Sequence, residues 1–189
     1  MSGTAICGYL WITFCVIWLI LALKTKPTQQ RESISSRLSY TVFVFAAYYL
    51  VFGKELTPPW LLIHLFRPST ISAALGVALT AAGIGFAVWA RLYLGGNWSG
   101  AVTVKVGHEL VRTGPYRFVR HPIYTGLILA LLGTALQRAQ VRGLIAIVLL
   151  YVGFKMKSKI EERAMISTFG PAYDEYSRRT GAIIPKLRS

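Results

Sequence analysis

The chain has 189 residues, a length that allows one domain. Hydrophobic residues make up 54% of it and charged residues only 15%, whereas a soluble domain carries about a quarter charged residues. Because the apolar residues come in long blocks, the composition indicates an integral membrane protein and argues against a large soluble core. The net charge of +14 is then expected beside the spans and against anionic lipid headgroups, and no soluble stretch is long enough for a nucleic-acid-binding module.

Three apolar segments in the first half of the chain are predicted to be membrane-spanning helices, at residues 6–23, 38–53 and 71–94. The first has no cleavage pattern of small residues after it, so we interpret it as an uncleaved span and not a signal peptide. The third carries Gly76, Gly83 and Gly85, a small-residue face that allows close approach of helices in lipid. Residues 1–94 are therefore interpreted as a three-span scaffold within a single membrane domain.

The second half of the chain, residues 95–189, forms the other part of this domain and contains its main polar segments. A polar, turn-rich interval at 107–126 runs directly into the next apolar segment. Two short apolar runs follow and predict a tight helical hairpin, at residues 123–136 and 141–154. The tail from Lys155 has helical periodicity, and Gly170-Pro171 is expected to separate it from a second short helix at 172–179.

The distribution of basic residues predicts the orientation in the membrane. With five spans and the N-terminus outside, 17 of the 21 lysines and arginines fall on the cytoplasmic side, in agreement with the positive-inside rule. The four on the other side are Lys54, Arg67, Arg138 and Arg142. The C-terminus and the polar interval then share the cytoplasmic side and can meet, in the inner membrane of a prokaryote or the endoplasmic reticulum of a eukaryote.

The polar interval carries residues suited to binding a polar cofactor. His108 and His121 supply donors and acceptors, and the start of a span at Pro122 offers free backbone N–H groups and a partial positive charge. Taken singly, a proline in the first turn of a helix and an arginine before a span, here Arg120, are ordinary features. No cysteine or carboxylate–histidine cluster occurs at metal-ligand spacing, so the pattern favours a cofactor over a metal.

Glu161 and Glu162 are adjacent and follow the last apolar run, in a chain with only seven acidic residues. They could simply pair with neighbouring lysines on a solvated helix, or they could accept hydrogen bonds from ribose hydroxyls or hold an ammonium group. The chain contains no serine elbow and no phosphate-binding loop. The polar residues are therefore predicted to bind a ligand and not to act as a nucleophile.

Several motifs together resemble the isoprenylcysteine carboxyl methyltransferase family and its prokaryotic relatives, and are similar to the wider phospholipid methyltransferase group. The resemblance extends over residues 94–185. Its motifs are Gly107-His108-Glu109-Leu110-Val111, Gly114-Pro115-Tyr116, Arg120-His121-Pro122-Ile123-Tyr124-Thr125-Gly126, Glu161-Glu162, Phe169-Gly170-Pro171-Ala172-Tyr173 and Arg179-Thr180-Gly181.

This resemblance implies an all-α integral membrane enzyme with about five spans that binds S-adenosylmethionine in its cytoplasmic loop and C-terminal helices. The residues it implies for cofactor binding are His108, Leu110, Gly114, Tyr116, His121, Pro122 and Tyr124, with Glu161 or Glu162 on the polar groups of the cofactor. Arg120 is either structural or holds the methionine carboxylate. Arg179 would orient an acceptor carboxylate.

The acceptor implied by the resemblance is lipophilic and enters from the bilayer, and it carries a carboxylate or a thiol. A carboxylate needs no base, whereas an amine headgroup, the alternative, would require deprotonation with help from Glu162 or a histidine. A small transporter or a non-catalytic membrane partner is the third possibility, but no span carries an acidic residue and no repeat is visible. The sequence gives no prediction of oligomeric state.

Overall fold

The computed structural model describes residues 2–23, 28–53, 57–98, 103–105 and 109–186. Within these ranges the chain forms six α-helices, α1 (Gly3–Ala22), α2 (Ile34–Phe52), α3 (Thr70–Leu94), α4 (Pro122–Arg138), α5 (Val141–Phe169) and α6 (Pro171–Arg179). Two short strands, β1 (Thr28–Arg31) and β2 (Thr103–Lys105), pair antiparallel with an irregular register between Thr28 and Gln30.

The helical membrane fold predicted from the sequence is confirmed. In the described part of the chain, three helices are long and apolar enough to cross a membrane, at Gly3–Ala22, Ile34–Phe52 and Thr70–Asn97. The remaining two apolar runs form the expected antiparallel hairpin of α4 and α5. A total of five spans remains a prediction, because α4 is only 17 residues long.

Serine side chains set the starts of the three long apolar helices. Ser2, Ser33 and Ser69 each precede a helix, and each side-chain oxygen accepts a hydrogen bond from a backbone N–H in the first turn. Ser33 caps a polar first turn, and α2 therefore begins at Ile34, four residues before the apolar run predicted at 38–53. Helix α5 is 29 residues long, about 44 Å, and it continues without a break from its apolar part into its charged part.

Glycines allow α3 and α4 to pack with their backbones in contact. A Cβ atom on Gly83 would lie 2.3 Å from the backbone nitrogen of Ala130, and one on Gly126 would lie 2.7 Å from that of Ala87. Backbone atoms cannot move aside as a flexible side chain can. The small-residue face predicted on the third span is therefore the contact surface for α4, and Gly85, which has no atom within 4 Å of its Cβ position, lies outside it.

A buried polar cluster joins α1 to this pair of helices. The indole Nε1 of Trp11 donates to the hydroxyl of Thr134 at 3.0 Å, and the hydroxyls of Thr80 and Thr134 lie 3.2 Å apart. Both threonines also donate to carbonyls of their own helices, so their polar atoms are satisfied within the apolar core. The cluster fixes α1 in depth against α3 and α4.

The five long helices alternate in direction, which brings the described parts of the segments predicted as cytoplasmic to one end of the bundle. At this end, the guanidinium of Arg91 donates to the carbonyls of Leu21 at 2.6 Å and Gly95 at 2.8 Å. It also lies 4.4 Å from the centre of the Trp98 ring. Arg91 thereby connects the last turns of α1 and α3 beside the polar interval.

The backbone contact between α3 and α4 generates a prediction. Gly83→Ala should destabilise the folded protein by about 1–3 kcal/mol or more, because the added methyl group meets backbone. Gly85→Ala, two residues along the same helix, should be neutral or slightly stabilising, since alanine favours a helix over glycine. Thermal unfolding in detergent measures both, and equal melting temperatures for the two variants would contradict the proposed packing.

Candidate active site

The turn that precedes α4 has a fixed backbone path. Gly114 has φ +57°, a conformation that favours glycine, and a Cβ atom there would lie 2.5 Å from the ring of Tyr93. The Tyr116 hydroxyl donates to the carbonyl of Ala90 at 3.3 Å, and the Tyr176 hydroxyl donates to the carbonyl of Tyr116 at 2.7 Å. The turn is thus held between the end of α3 and helix α6.

The C-terminal segment after α6 holds the same turn from the other side. The backbone N–H groups of Arg120 and His121 donate to the carbonyls of Gly181 and Ala182, both at 2.9 Å. The Thr125 hydroxyl donates to the carbonyl of Ile183 at 2.6 Å. The tail therefore supports the start of α4 through its backbone.

Charged side chains join the turn to α5. His121 lies between the paired glutamates, with Nδ1 3.2 Å from Glu161 Oε2 and Nε2 3.1 Å from Glu162 Oε1. Arg120 donates to Glu162 from Nε at 2.9 Å and from Nη2 at 2.8 Å. The Tyr124 hydroxyl donates to Glu161 at 2.6 Å. We refer to these five residues as the charge network.

The charge network sets the protonation states of its members. Burial by itself would raise the pKa of both glutamates, but hydrogen bonds from His121, with Lys157 near Glu161 and Arg120 near Glu162, lower the pKa of each. Burial opposes the charged form of His121, and the hydrogen bonds to the two carboxylates outweigh it and raise the pKa of the imidazole. Both ring nitrogens of His121 face carboxylate oxygens, an arrangement that suits an imidazole with two N–H donors, and the Arg120 guanidinium adds a second cation.

A cavity of about 380 Å³ lies against the charge network at this end of the bundle. Its polar wall is formed by the turn, α5 and α6, and includes Glu109, Tyr116, Arg120, His121, Glu161, Tyr173 and Tyr176. Its apolar wall is formed mainly by the spans, and includes Phe14, Trp18, Val44, Tyr48, Leu127 and Phe154.

A row of stacked rings runs from the polar wall to the apolar wall. The rings of His121 and Tyr124 are nearly parallel with centroids 5.4 Å apart, and those of Tyr124 and Phe154 are stacked at 4.5 Å. The two walls therefore belong to one continuous space. One part suits charged groups, and the other suits a hydrocarbon chain or an apolar ring.

The structure brings most of the site residues expected from the sequence to this cavity. Those that line it are Leu110, Tyr116, Arg120, His121, Pro122, Tyr124 and Glu161. Glu162 lies behind His121 and does not form part of the wall. Gly114 contributes through the backbone of the turn, and His108 lies outside the described residues.

Arg179, which was expected to orient the acceptor, lies on the surface of α6 and not at the cavity. Its side chain is 76% exposed and pairs with Glu175 at 2.6 Å on the surface of α6. The segment Arg179-Thr180-Gly181 serves the site through the carbonyl groups of Thr180 and Gly181, which accept hydrogen bonds from the Arg120 side chain and backbone respectively.

Sequence reasoning missed several wall residues. Lys157 lines the cavity 4.0 Å from Glu161 and near the rings of Tyr40 and Tyr124. Its position one turn before Glu161 on the same helix is the signal that could have identified it. The aromatic residues of α1 and α2 gave no such signal, because aromatic and aliphatic side chains occur both on the wall of a cavity and on the lipid-facing side of a span.

The fold and the site together define a helical membrane protein whose half-polar, half-apolar cavity lies where the spans meet water. The sequence profile of the phospholipid methyltransferase family matches residues 71–172, more than half of the chain, and the chain belongs to this family. This finding confirms the resemblance noted in the sequence.

The relatives found by sequence carry several names. The chain is 32% identical over 117 residues to the cobalt-zinc-cadmium resistance protein CzcN of Cupriavidus metallidurans, covering 60% of this chain and 47% of that protein. It is 34% identical over 81 residues to the protein-S-isoprenylcysteine O-methyltransferase of Schizosaccharomyces pombe, covering 42% and 34%. With methanethiol S-methyltransferase 1 of Bradyrhizobium diazoefficiens it shares 36% identity over 74 residues, covering 39% and 25%. The chain thus spans less than half the length of these relatives.

The fold is shared with a solved structure. The eukaryotic intramembrane Ras methyltransferase ICMT, an isoprenylcysteine carboxyl methyltransferase, superposes with a TM-score of 0.59 at 24% sequence identity. The match covers 78% of this chain and 52% of that one.

The opposing pKa shifts in the charge network predict a pH dependence of stability. His121 has a raised pKa in the folded state, so its contribution is complete below its unfolded value of 6.5 and is lost as the pH rises through the folded pKa. The glutamates have lowered pKa values, so their contribution is present above the unfolded value of 4.5 and is lost as the pH falls. The advantage of the wild type over His121→Gln should be greatest between these two values and decrease towards alkaline pH.

Thermal unfolding of both proteins in detergent, from about pH 5 to about pH 10, measures this difference. His64→Gln, which changes an exposed histidine at the other end of the bundle, serves as the control and should differ little from wild type. A difference between wild type and His121→Gln that stays constant or grows with pH would contradict the assignment.

Proposed function

We propose that this protein is a membrane methyltransferase that uses S-adenosylmethionine to methylate a lipophilic acceptor, with a carboxylate or a thiol as the acceptor group. The observation that carries the proposal is the continuous cavity, which has the charge network on one wall and hydrophobic side chains of the spans on the other. Membership of the phospholipid methyltransferase family supports the reaction class. The names of two relatives, an isoprenylcysteine O-methyltransferase and a methanethiol S-methyltransferase, support the two acceptor groups.

The polar wall fits the chemistry of S-adenosylmethionine. Glu161 is an ionised carboxylate on the cavity wall, suited to ribose hydroxyls or to the ammonium group. Tyr116 also lines the cavity, and its ring suits an aromatic base or a cationic sulfonium. When bound, this cofactor supplies a methyl group on a sulfonium, which an in-line nucleophile can displace.

The hydrogen-bond donors of Arg120 indicate which of its two expected roles the structure favours. Arg120 directs Nε and Nη2 to Glu162 and Nη1 to the carbonyls of Ser177 and Thr180. These contacts use four of the five N–H donors of the guanidinium, so we assign Arg120 to positioning the turn and not to holding the methionine carboxylate. Glu162 contacts both Arg120 and His121, and it thereby fixes the orientation of the His121 ring at the cavity wall.

The protonation states of the charge network favour an acceptor that is already anionic. The pKa of Glu162 is lowered by its partners, and both ring nitrogens of His121 already face carboxylate oxygens, so neither group is placed to take a proton from an acceptor. An amine acceptor would need such a base, whereas a carboxylate would not. For this reason the amine headgroup remains the second candidate.

The apolar wall supports entry of the acceptor from the bilayer. Phe14 and Trp18 of α1 and Val44 and Tyr48 of α2 line the cavity on the side formed by spans. An acceptor with a hydrocarbon tail would leave the tail among these residues and present its polar group beside the stacked rings. Alignment and exclusion of water would then supply most of the rate enhancement.

We also propose that the cavity faces the cytoplasm. The predicted topology, which assigns 17 of the 21 basic residues to the cytoplasmic side, supports this orientation. The N-terminus would then lie outside and the C-terminus inside.

Cofactor binding is the first test of this function. Labelled S-adenosylmethionine should bind the purified protein saturably, and Glu161→Gln should weaken binding at least about tenfold through loss of charge-assisted hydrogen bonds. Glu175→Gln removes a carboxylate from the exposed surface of α6 and should bind as wild type does. Absence of saturable binding, or equal affinity of the two variants, would contradict the proposal.

Acceptor binding is the second test. Leu127→Trp should fill the apolar side of the cavity and raise the KM for a farnesylated cysteine at least about tenfold, while leaving cofactor affinity unchanged. Leu132→Trp, on the exposed face of the same helix, is the matched control. An unchanged KM in Leu127→Trp would contradict the assigned acceptor site.

The identity of the methylated group follows from the stability of the product. A methyl ester releases its label in mild base, whereas a methylated thiol or amine retains it. Farnesylated cysteine, an alkanethiol and phosphatidylethanolamine are therefore offered in parallel. Methylation of phosphatidylethanolamine alone would overturn the carboxylate or thiol assignment in favour of the amine.

A further inference from the structure

A second cavity, of about 300 Å³, lies at the opposite end of the bundle from the charge network. It forms where the segment before α3 pairs with the turn between α4 and α5. In this pairing the Leu65 N–H donates to the carbonyl of Ala139 at 2.7 Å, and the Val141 N–H donates to the carbonyl of Ile63 at 3.1 Å. The residues around the cavity are mainly polar or basic: Thr4, His64, Pro68, Gln137, Arg138, Gln140 and Arg142.

The two arginines of this cavity contact only neutral groups. Arg142 is 7% exposed, and it donates from Nε to the side chain of Gln140 at 2.8 Å and from Nη1 to the carbonyl of Gly53 at 3.2 Å. The Nε of Arg138 is buried and has no hydrogen-bond partner. Within the described residues, neither arginine forms an ion pair.

Acidic residues are concentrated at the other end of the molecule. Six of the seven are described, and all six lie at the end of the bundle that holds the charge network: Glu32, Glu109, Glu161, Glu162, Asp174 and Glu175. Glu55 lies outside the described residues. The part of the chain that the structure describes therefore supplies no carboxylate to this second cavity.

Within the described residues, two neighbouring cations thus lie here without a counter-ion, and such a position is costly. Burial, and then the Arg142 cation, lower the pKa of the Arg138 guanidinium, although arginine stays charged in proteins. Orientation in the membrane does not explain the pair, because positive charges are depleted at the end predicted to lie outside. Only four of the 21 basic residues fall there, and two of them line this one cavity.

The surroundings indicate a position at the level of lipid headgroups. The cavity lies beyond the apolar stretch of the bundle, next to the starts of α1 and α3. Trp60 and Phe66, in the segment that borders the cavity, are 56% and 43% exposed. Exposed aromatic residues at the end of a span are typical of the membrane interface.

We propose that this second cavity binds a phosphate group, that of a phospholipid headgroup at the membrane surface, through Arg138 and Arg142. Guanidinium groups match phosphate oxygens in geometry and charge, and a phosphate in the cavity would neutralise both cations. His64 and Thr4 add polar groups to the rim. The site is separate from the charge network and does not depend on the reaction carried out there.

Thermal unfolding in zwitterionic detergent tests the site with three probes: inorganic phosphate, short-chain phosphatidylglycerol and short-chain phosphatidylcholine. Each phospholipid contains a phosphodiester, and phosphatidylcholine adds a cation that two arginines disfavour. Phosphatidylglycerol should raise the melting temperature of the wild type, as expected for a ligand of the folded state. A comparable rise with inorganic phosphate would identify a free anion as a sufficient ligand, whereas a rise with phosphatidylglycerol alone would identify the lipid.

Variants then locate the effect. Arg138→Gln should weaken phosphatidylglycerol binding at least about tenfold. Arg67→Gln removes an exposed charge at the same end of the bundle and should bind as wild type does. Arg138→Lys keeps the positive charge but loses the planar guanidinium, and it should retain part of the phosphatidylglycerol binding. It serves as the second variant in case Arg138→Gln folds poorly.

Two results would overturn the proposal. One is a wild-type melting temperature that none of the phosphate-containing probes raises. The other is equal affinity for phosphatidylglycerol in the wild type, in Arg67→Gln and in whichever Arg138 variant folds.

Discussion

The contact between the turn before α4 and the glutamates of α5 is the interaction on which the candidate site depends. His121 and Glu162 are 41 positions apart in sequence, yet their side chains meet at 3.1 Å in a largely buried setting. Buried ion pairs add little net stability, because desolvation offsets their attraction, whereas removing one partner leaves an uncompensated charge. The charge network therefore selects one arrangement of helices more than it stabilises the fold, and that arrangement is the one with a cavity.

The register of the helices determines whether this contact can form. Gly83 and Gly126 fix the depth of α4 against α3, and the 2.7 Å approach of a Gly143 Cβ position to the side chain of Ala135 shows how closely α5 follows α4. A slip of one helical turn would move the glutamates by about 5.4 Å relative to His121 and separate every pair in the charge network. Packing of small residues deep in the membrane thus controls electrostatics at its edge.

Local patterns in the sequence predicted the helices well, and they predicted the tertiary roles of individual side chains less well. Hydropathy gave the five long helices, and Gly170-Pro171 gave the break between α5 and α6, because these depend on composition and on backbone chemistry that a short window contains. Arg179 was expected to reach the acceptor, but its direction on α6 carries it to the surface. Such directions depend on how helices far apart in sequence pack, and no local pattern records that.

One wall of the cavity comes largely from the region that matches the family profile, and the other comes partly from residues that precede this region. The polar wall belongs largely to the region that matches the family profile, residues 71–172, whereas Phe14, Trp18, Val44 and Tyr48 precede it. Side chains of the polar wall would handle the methyl donor, which a family can hold in common. Those of α1 and α2 would contact the acceptor. On the proposed function, the residues that select the acceptor should therefore be sought in α1 and α2 of this chain.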